Sequence, residues 1–134
     1  METRVSRIML VEDNPEDIAL TRRVLRKGGL GGDLVLASTG REALECLANK
    51  AGSDLPGLIL LDINLPDLSG IDILTEIKKD PSLKPIPVVM LTGSNTDDDI
   101  QRSYDLGART YLVKPVSIDA LKLVLENVFQ SSAL

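Results

Sequence analysis

Asp62 follows the wholly apolar run Leu58-Ile59-Leu60-Leu61, and Ile63-Asn64-Leu65-Pro66 leads on from it. Bounded by Pro56-Gly57 and Pro66, the run reads as a central parallel strand. Its carboxyl end is where open α/β sheets bind ligands. A carboxylate there can hold a cation or attack an electrophile. The plainer reading is a strand-ending Asp that starts a turn with Asn64 and Pro66. A second acidic strand end weighs against it, since Ile8-Met9-Leu10-Val11 runs directly into Glu12-Asp13-Asn14-Pro15. Asn14 suits an N-cap and Pro15 a first helical position. Glu16 and Asp17 then fall in the first turn, where the helix dipole favours negative charge. Capping accounts for Asn14, Glu16 and Asp17 and leaves Glu12 and Asp13 spare. If the two strands are neighbours, Glu12, Asp13 and Asp62 converge. Three carboxylates in one pocket repel and need something positive among them, for which a hard divalent cation is suited.

The rest of the chain alternates regularly. Expected strands cover Arg7–Val11, Asp33–Ala37, Leu58–Leu61, Val88–Leu91 and Tyr111–Val113. Expected helices cover Pro15–Lys27, Gly40–Lys50, Gly70–Lys79, Asp97–Leu106 and Ile118–Phe129, the last capped by Ser117. Gly28-Gly29 and Gly31-Gly32 end the first helix, Asp80-Pro81 stops the third and Gly107 closes the fourth. Five strands alternating with five helices imply right-handed βαβ units and a doubly wound parallel sheet covered on both faces. No linker, repeat or low-complexity tract interrupts the pattern. One domain over 1–134, with no output module, is expected.

Two more strand ends carry chemistry. The fourth strand ends at Thr92-Gly93-Ser94 and the fifth at Lys114-Pro115. Taken singly, these are a turn and a surface lysine before a helix. Taken with the acids after the first and third strands, they make a phosphoryl-binding site. The carboxylates hold a metal, and the metal and Lys114 neutralise phosphoryl oxygens. Thr92 donates a hydrogen bond, and Asp62 is the nucleophile.

Composition narrows the alternatives. The 134 residues suit one domain with a sizeable core, and the 43% hydrophobic content fits a soluble globular protein. A net charge of -5 argues against nonspecific binding to nucleic acid. The single cysteine, Cys46, allows no intrachain disulfide or cysteine metal cluster, and its helical setting suggests a packed thiol. There is no histidine, so Ser-His-Asp and Cys-His mechanisms, and a phosphohistidine on this chain, are excluded. No stretch reads as a membrane span or signal peptide, so a cytoplasmic location is expected.

Together these residues resemble the receiver domain of two-component response regulators, over nearly the whole chain. The resemblance rests on Glu12-Asp13, on Asp62 with Leu65-Pro66 and Gly70, on Thr92 and on Lys114-Pro115. Each motif is short, but all four in order at these separations are highly specific. The resemblance implies a five-stranded (βα)5, flavodoxin-like fold of strand order 2-1-3-4-5. It implies a phosphoacceptor switch, in which Asp62 takes a phosphoryl group from a sensor histidine kinase. Magnesium would be held by Asp13, Asp62 and the backbone carbonyl of Asn64, with Glu12 acting through water. Lys114 would contact the phosphoryl group, and the Lys114-Pro115 peptide would be cis. Thr92 would be drawn inward on phosphorylation and Tyr111 would rotate with it. The plainer reading of Tyr111 is a strand aromatic packed on a helix.

The stretches Val11–Asp17, Leu61–Pro66, Ile77–Pro81, Asp97–Ile100 and Ser103–Leu106 resemble more closely the stand-alone regulators that partner phytochrome kinases. A bacterial phytochrome as the kinase follows from that likeness. Gly93 stands where alanine is commoner in the family, which would loosen its loop, and Asp97-Asp98-Asp99 reads as a solvated helix start. The last helix has Ile118, Leu121, Leu125 and Val128 at core spacing, and Leu123, Val124 and Phe129 beyond them. A helix apolar on more than one face is usually covered on more than one. The plainer reading is scattered surface apolar residues, and a kinase or target could equally be the cover; the family likeness implies a homodimer through helix 4, strand 5 and helix 5.

Three other readings fit less well. A haloacid-dehalogenase-type phosphatase places a second Asp two residues after its nucleophile. Here Pro15 follows Asp13 at that distance and Asn64 follows Asp62. A flavodoxin-like FMN carrier would need a phosphate-cradling Ser/Thr/Gly loop after the first strand, and the chain has only Tyr104, Tyr111 and Phe129 as aromatics. A receiver that acts without phosphate would have no need of the intact acid, hydroxyl and lysine set.

Overall fold

The computed structural model describes residues 7–29, 33–50, 54–93 and 97–133. Gly31, Gly32 and Ser94, and the side chains of Asp97 and Phe129, lie outside what it describes. In chain order the elements are β1 Ile8–Val11, α1 Pro15–Lys27, β2 Leu34–Ala37, α2 Gly40–Ala48 and β3 Leu58–Asp62. There follow α3 Gly70–Lys79, β4 Val88–Thr92, α4 Asp97–Asp105, β5 Thr110–Val113 and α5 Ile118–Ala133. All neighbouring strands pair in parallel, in the order β2-β1-β3-β4-β5. This is the expected doubly wound order.

The strands divide their side chains between two cores by the period of two that a pleated strand imposes. Met9, Val11, Ile59, Leu61, Val88 and Met90 pack with α2 and α3. Ile8, Leu10, Leu58, Leu60, Val89 and Leu91 pack with α1 and α5. The three central strands are therefore apolar on both faces, and polar side chains on them are confined to their tips. Helix ends follow the local chemistry. Asn14 caps α1 by accepting from the backbone N–H groups of Glu16 and Asp17. Gly29 and Gly107, with φ of 76° and 105°, take the left-handed conformation that lets α1 and α4 stop.

Several element ends differ from expectation: β1 and β2 start one residue later, α2 stops at Ala48, α4 stops at Asp105 and α5 runs on to Ala133. β3 and β4 each run one residue further, to include Asp62 and Thr92, because Ile63 N–H donates to Leu91 O and Lys114 N–H to Thr92 O, prolonging the two ladders. β5 begins one residue earlier, at Thr110. On α5, Val124 and Leu125 pack against the second core, so Val124 is not spare. Among the described side chains of that helix, Leu123 is the large apolar residue left exposed, at 61%.

Gly70 ties this frame to its active edge. Its N–H donates to Ile63 O at 2.7 Å, and a Cβ there would strike the backbone carbonyl of Asp62 and the Cα of Ile63. Gly93 is the opposite case, with nothing near the position of a Cβ. Gly70→Ala is expected to destabilise the protein by about 2 kcal/mol or more, since backbone must shift to admit the methyl group. Gly93→Ala should stay within about 0.5 kcal/mol of the parent. Denaturant midpoints of the two variants check this contrast.

Candidate functional site

Register brings the strand tips together. Val11 pairs with Leu61, so Glu12 stands level with Asp62 on adjacent strands. Asp62 pairs with Leu91 and Thr92 with Val113, so the tips of β4 and β5 rise just beyond it. Lys114 N–H donates to Thr92 O at 2.7 Å, which fixes where the lysine leaves β5. The Lys114-Pro115 peptide is cis.

The Lys114 ammonium reaches back over the tip of β4 into the acids. Nζ donates to Glu12 Oε1 at 3.1 Å, to Asp62 Oδ2 at 3.1 Å and to Asp17 Oδ2 at 3.0 Å. Glu12 and Asp62 are buried, whereas Asp13 is exposed. The other oxygens of the buried pair are also bonded. Asn64 N–H donates to Asp62 Oδ1 at 3.1 Å and Asn14 N–H to Glu12 Oε2 at 3.3 Å. Burial, with the neighbouring Asp62, pushes the Glu12 carboxyl up to about 7, against the pull of Lys114 and of Asn14 N–H. Burial pulls the Lys114 ammonium down, but its bonds to Asp17, Glu12 and Asp62 outweigh that and hold it above the ordinary lysine value.

Carboxylate oxygens of Glu12, Asp13 and Asp62 lie within 4.8 Å of one another, close enough to share one metal ion. All are hard oxygen donors, the set that suits magnesium, manganese or calcium. Counting Asp17, the cluster holds four carboxylates and one ammonium, three of the carboxylates paired with it. If all are ionised the cluster is net negative, and a divalent cation relieves what the lysine leaves over.

The structure thus unites Glu12, Asp13, Asp62 and Lys114, with buried Thr92 at the neighbouring tip. Asn64 is exposed and meets Asp62 through its backbone. Tyr111 is half-buried against the first core, edge-on to Tyr104 at 6.3 Å between centroids. Asp17 is the residue that sequence reading left outside the site. Its charge suits the first turn of α1, and its lysine partner lies 97 positions away. Helix-start chemistry already accounts for Asp17, so the sequence carries no separate signal for this contact. Among the described residues no helix is long and apolar enough to cross a membrane.

Comparison with known proteins agrees with this geometry. The family model described as response regulator receiver domain matches residues 8–126. Response regulator Rcp1 of Synechocystis sp. is 40% identical over 121 residues, spanning 87% of this chain and 82% of that protein. The probable methanogenesis regulatory protein FilR2 of Methanothrix harundinacea is 38% identical over 123 residues, spanning 90% and 79%. The phosphorylated cyanobacterial phytochrome response regulator RcpA superposes with a TM-score of 0.79 at 39% identity, covering 96% of each chain. The manganese-bound form of Rcp1 superposes with a TM-score of 0.76 at 37% identity, again covering 96% of each.

Lys114→Met keeps the stem and removes the charge, leaving Glu12 and Asp62 buried without their cation. A loss of about 3 kcal/mol is expected. Millimolar divalent cation should return part of it by occupying the same acids. Unfolding curves with and without the cation test both effects.

Proposed function

This chain belongs to the response regulator receiver domain family, and on that premise we propose that it is a phosphoacceptor switch, with Asp62 accepting a phosphoryl group from a sensor histidine kinase. The observation that carries the proposal is the buried Asp62 carboxylate at the tip of β3, set between the Lys114 ammonium and an acidic cluster able to share a cation. An Asp62 oxygen attacks phosphorus while the bond from phosphorus to the donor's histidine nitrogen breaks, and the nitrogen keeps the electron pair. Asn64 N–H holds the other Asp62 oxygen and so fixes the orientation of the carboxylate. Lys114 draws the phosphoryl oxygens by charge, and the Thr92 hydroxyl donates to one of them.

Magnesium suits the donor set. Asp13, Asp62 and the Asn64 carbonyl would hold it, with Glu12 acting through water. When bound it supplies positive charge against the phosphoryl oxygens. The product is a mixed anhydride, so the signal decays by hydrolysis, and the protein is a switch rather than a turnover enzyme.

Readout would run through α4, β5 and α5. Inward movement of Thr92 would let Tyr111 turn from its place beside Tyr104, altering the surface those elements share. The likeness to Rcp1 and RcpA supports a bacterial phytochrome as the kinase. The net charge of -5 weighs against nonspecific binding to nucleic acid. Exposed Tyr104, Val113 and Leu123 support pairing of two copies through α4, β5 and α5.

Incubation with acetyl phosphate and magnesium, read by intact mass, is expected to add one phosphoryl group to the parent protein. Asp62→Asn should gain none. Equal labelling of both would remove Asp62 from its role. Light scattering at micromolar concentration, with and without a phosphoryl mimic, is expected to give a dimer mass in at least one state. A monomer in both would assign the exposed apolar residues to another contact.

A further inference from the structure

Lys114 has no N–H to spare. An ammonium carries three donors, and all three are engaged, by Glu12, Asp17 and Asp62. Under the phosphoacceptor reading, on which this inference rests, Lys114 must also meet an incoming phosphoryl oxygen. One of the three bonds then has to yield. The side chains of Glu12 and Asp62 are 0% and 2% exposed, and a carboxylate buried that deeply loses its cation only at high cost. The Asp17 side chain is 29% exposed, so water can replace the lysine there. The charge of Asp17 also opposes an incoming phosphoryl dianion.

We propose that Asp17 is a positioning residue that restrains Lys114 in the unphosphorylated protein, and that its bond to Lys114 opens as the phosphoryl group arrives. Asp17 therefore acts as a brake on phosphoryl transfer. It also makes the first turn of α1 sensitive to the state of Asp62, because the same side chain belongs to that helix. Asn14 holds the backbone of Asp17 through its cap at 3.1 Å, so the side chain can swing away without unwinding the helix.

The step that reports on this is transfer from acetyl phosphate. The Asp62 carboxylate forms a bond to phosphorus, the phosphorus–oxygen bond to the acetyl group breaks, and acetate leaves with the electron pair. The test uses the full chain with saturating magnesium, and follows the initial rate by intact mass. Asp17→Asn and Asp17→Ala are expected to be phosphorylated roughly two- to fivefold faster than the parent, the scale set by loss of one partly exposed ion pair. Asp17→Glu, which restores the carboxylate, should return towards the parent rate. Glu16→Gln removes an adjacent first-turn charge that does not reach Lys114, and its rate should not change. Magnesium affinity by calorimetry and the thermal midpoint, measured alongside, identify any variant whose rate reflects altered metal binding or folding.

Parent-like or slower rates in both Asp17→Asn and Asp17→Ala would overturn the brake. Equal acceleration by Glu16→Gln would also overturn it, by assigning the effect to general charge rather than to the bond. If the parent itself takes no phosphoryl group, the phosphoacceptor reading fails first, and the two failures are thereby distinguished.

Discussion

The active edge depends on one constraint: two carboxylates are buried at strand tips, and one lysine side chain must reach them. Neighbouring strands stand about 4.8 Å apart, so β5 lies about 10 Å from β3 and further from β1. A short side chain at position 114 could not cross that gap. Lysine spans it with its four-carbon stem, and Glu12 and Asp62 extend from the other side. The bond from Lys114 N–H to Thr92 O sets the starting point of that reach. Loss of the ammonium would leave charge in a place where water cannot replace it.

The sheet makes the constraint possible by being apolar everywhere else. Each central strand is covered on both faces, and its side chains alternate between the two cores without a polar interruption. Polar chemistry therefore has one outlet, the carboxyl edge, where the strands stop and loops begin. Gly70 keeps that edge compact, since the α3 entry packs directly on the Asp62 backbone. Asp67 closes the same loop onto α2 by accepting from Gly40 N–H at 2.8 Å and Arg41 N–H at 2.9 Å. Those bonds satisfy two of the donors that a helix start leaves open.

Most of the fold was legible because local signals agreed with the global arrangement. The apolar runs of β1, β3 and β4 are the marks of doubly covered parallel strands, and Asn14, Pro15, Gly29 and Gly107 sit where helices must start or stop. Glu12, Asp62 and Lys114 were legible as chemistry because no local role used them up. Asp17 was obscured for the opposite reason. A first-turn carboxylate on α1 is locally satisfied, so nothing in the sequence marked its bond to a lysine on a distant strand tip. Val124 departs from expectation on similar grounds, since it packs against the second core. Spacing along one helix shows which residues share a face, but not how wide a face the neighbouring sheet and α1 will cover. The one-residue extensions of β3 and β4 depend on ladder hydrogen bonds, which residue type does not encode.

The balance of charge in the cluster also explains why its parts belong together. With Glu12, Asp13, Asp17 and Asp62 around Lys114, the unliganded site carries more negative than positive charge. Burial answers part of the excess by favouring the proton on Glu12. In that condition a phosphoryl dianion would be repelled, and Asp62 would be a nucleophile that few donors could approach. A divalent cation shared by the acids reverses the sign of the problem, because it neutralises the surplus that Lys114 cannot. The lysine can then give up its most exposed partner, Asp17, to answer the new charge. Metal, nucleophile and lysine are thus parts of one electrostatic arrangement, and a change in any of them alters what the other two must hold.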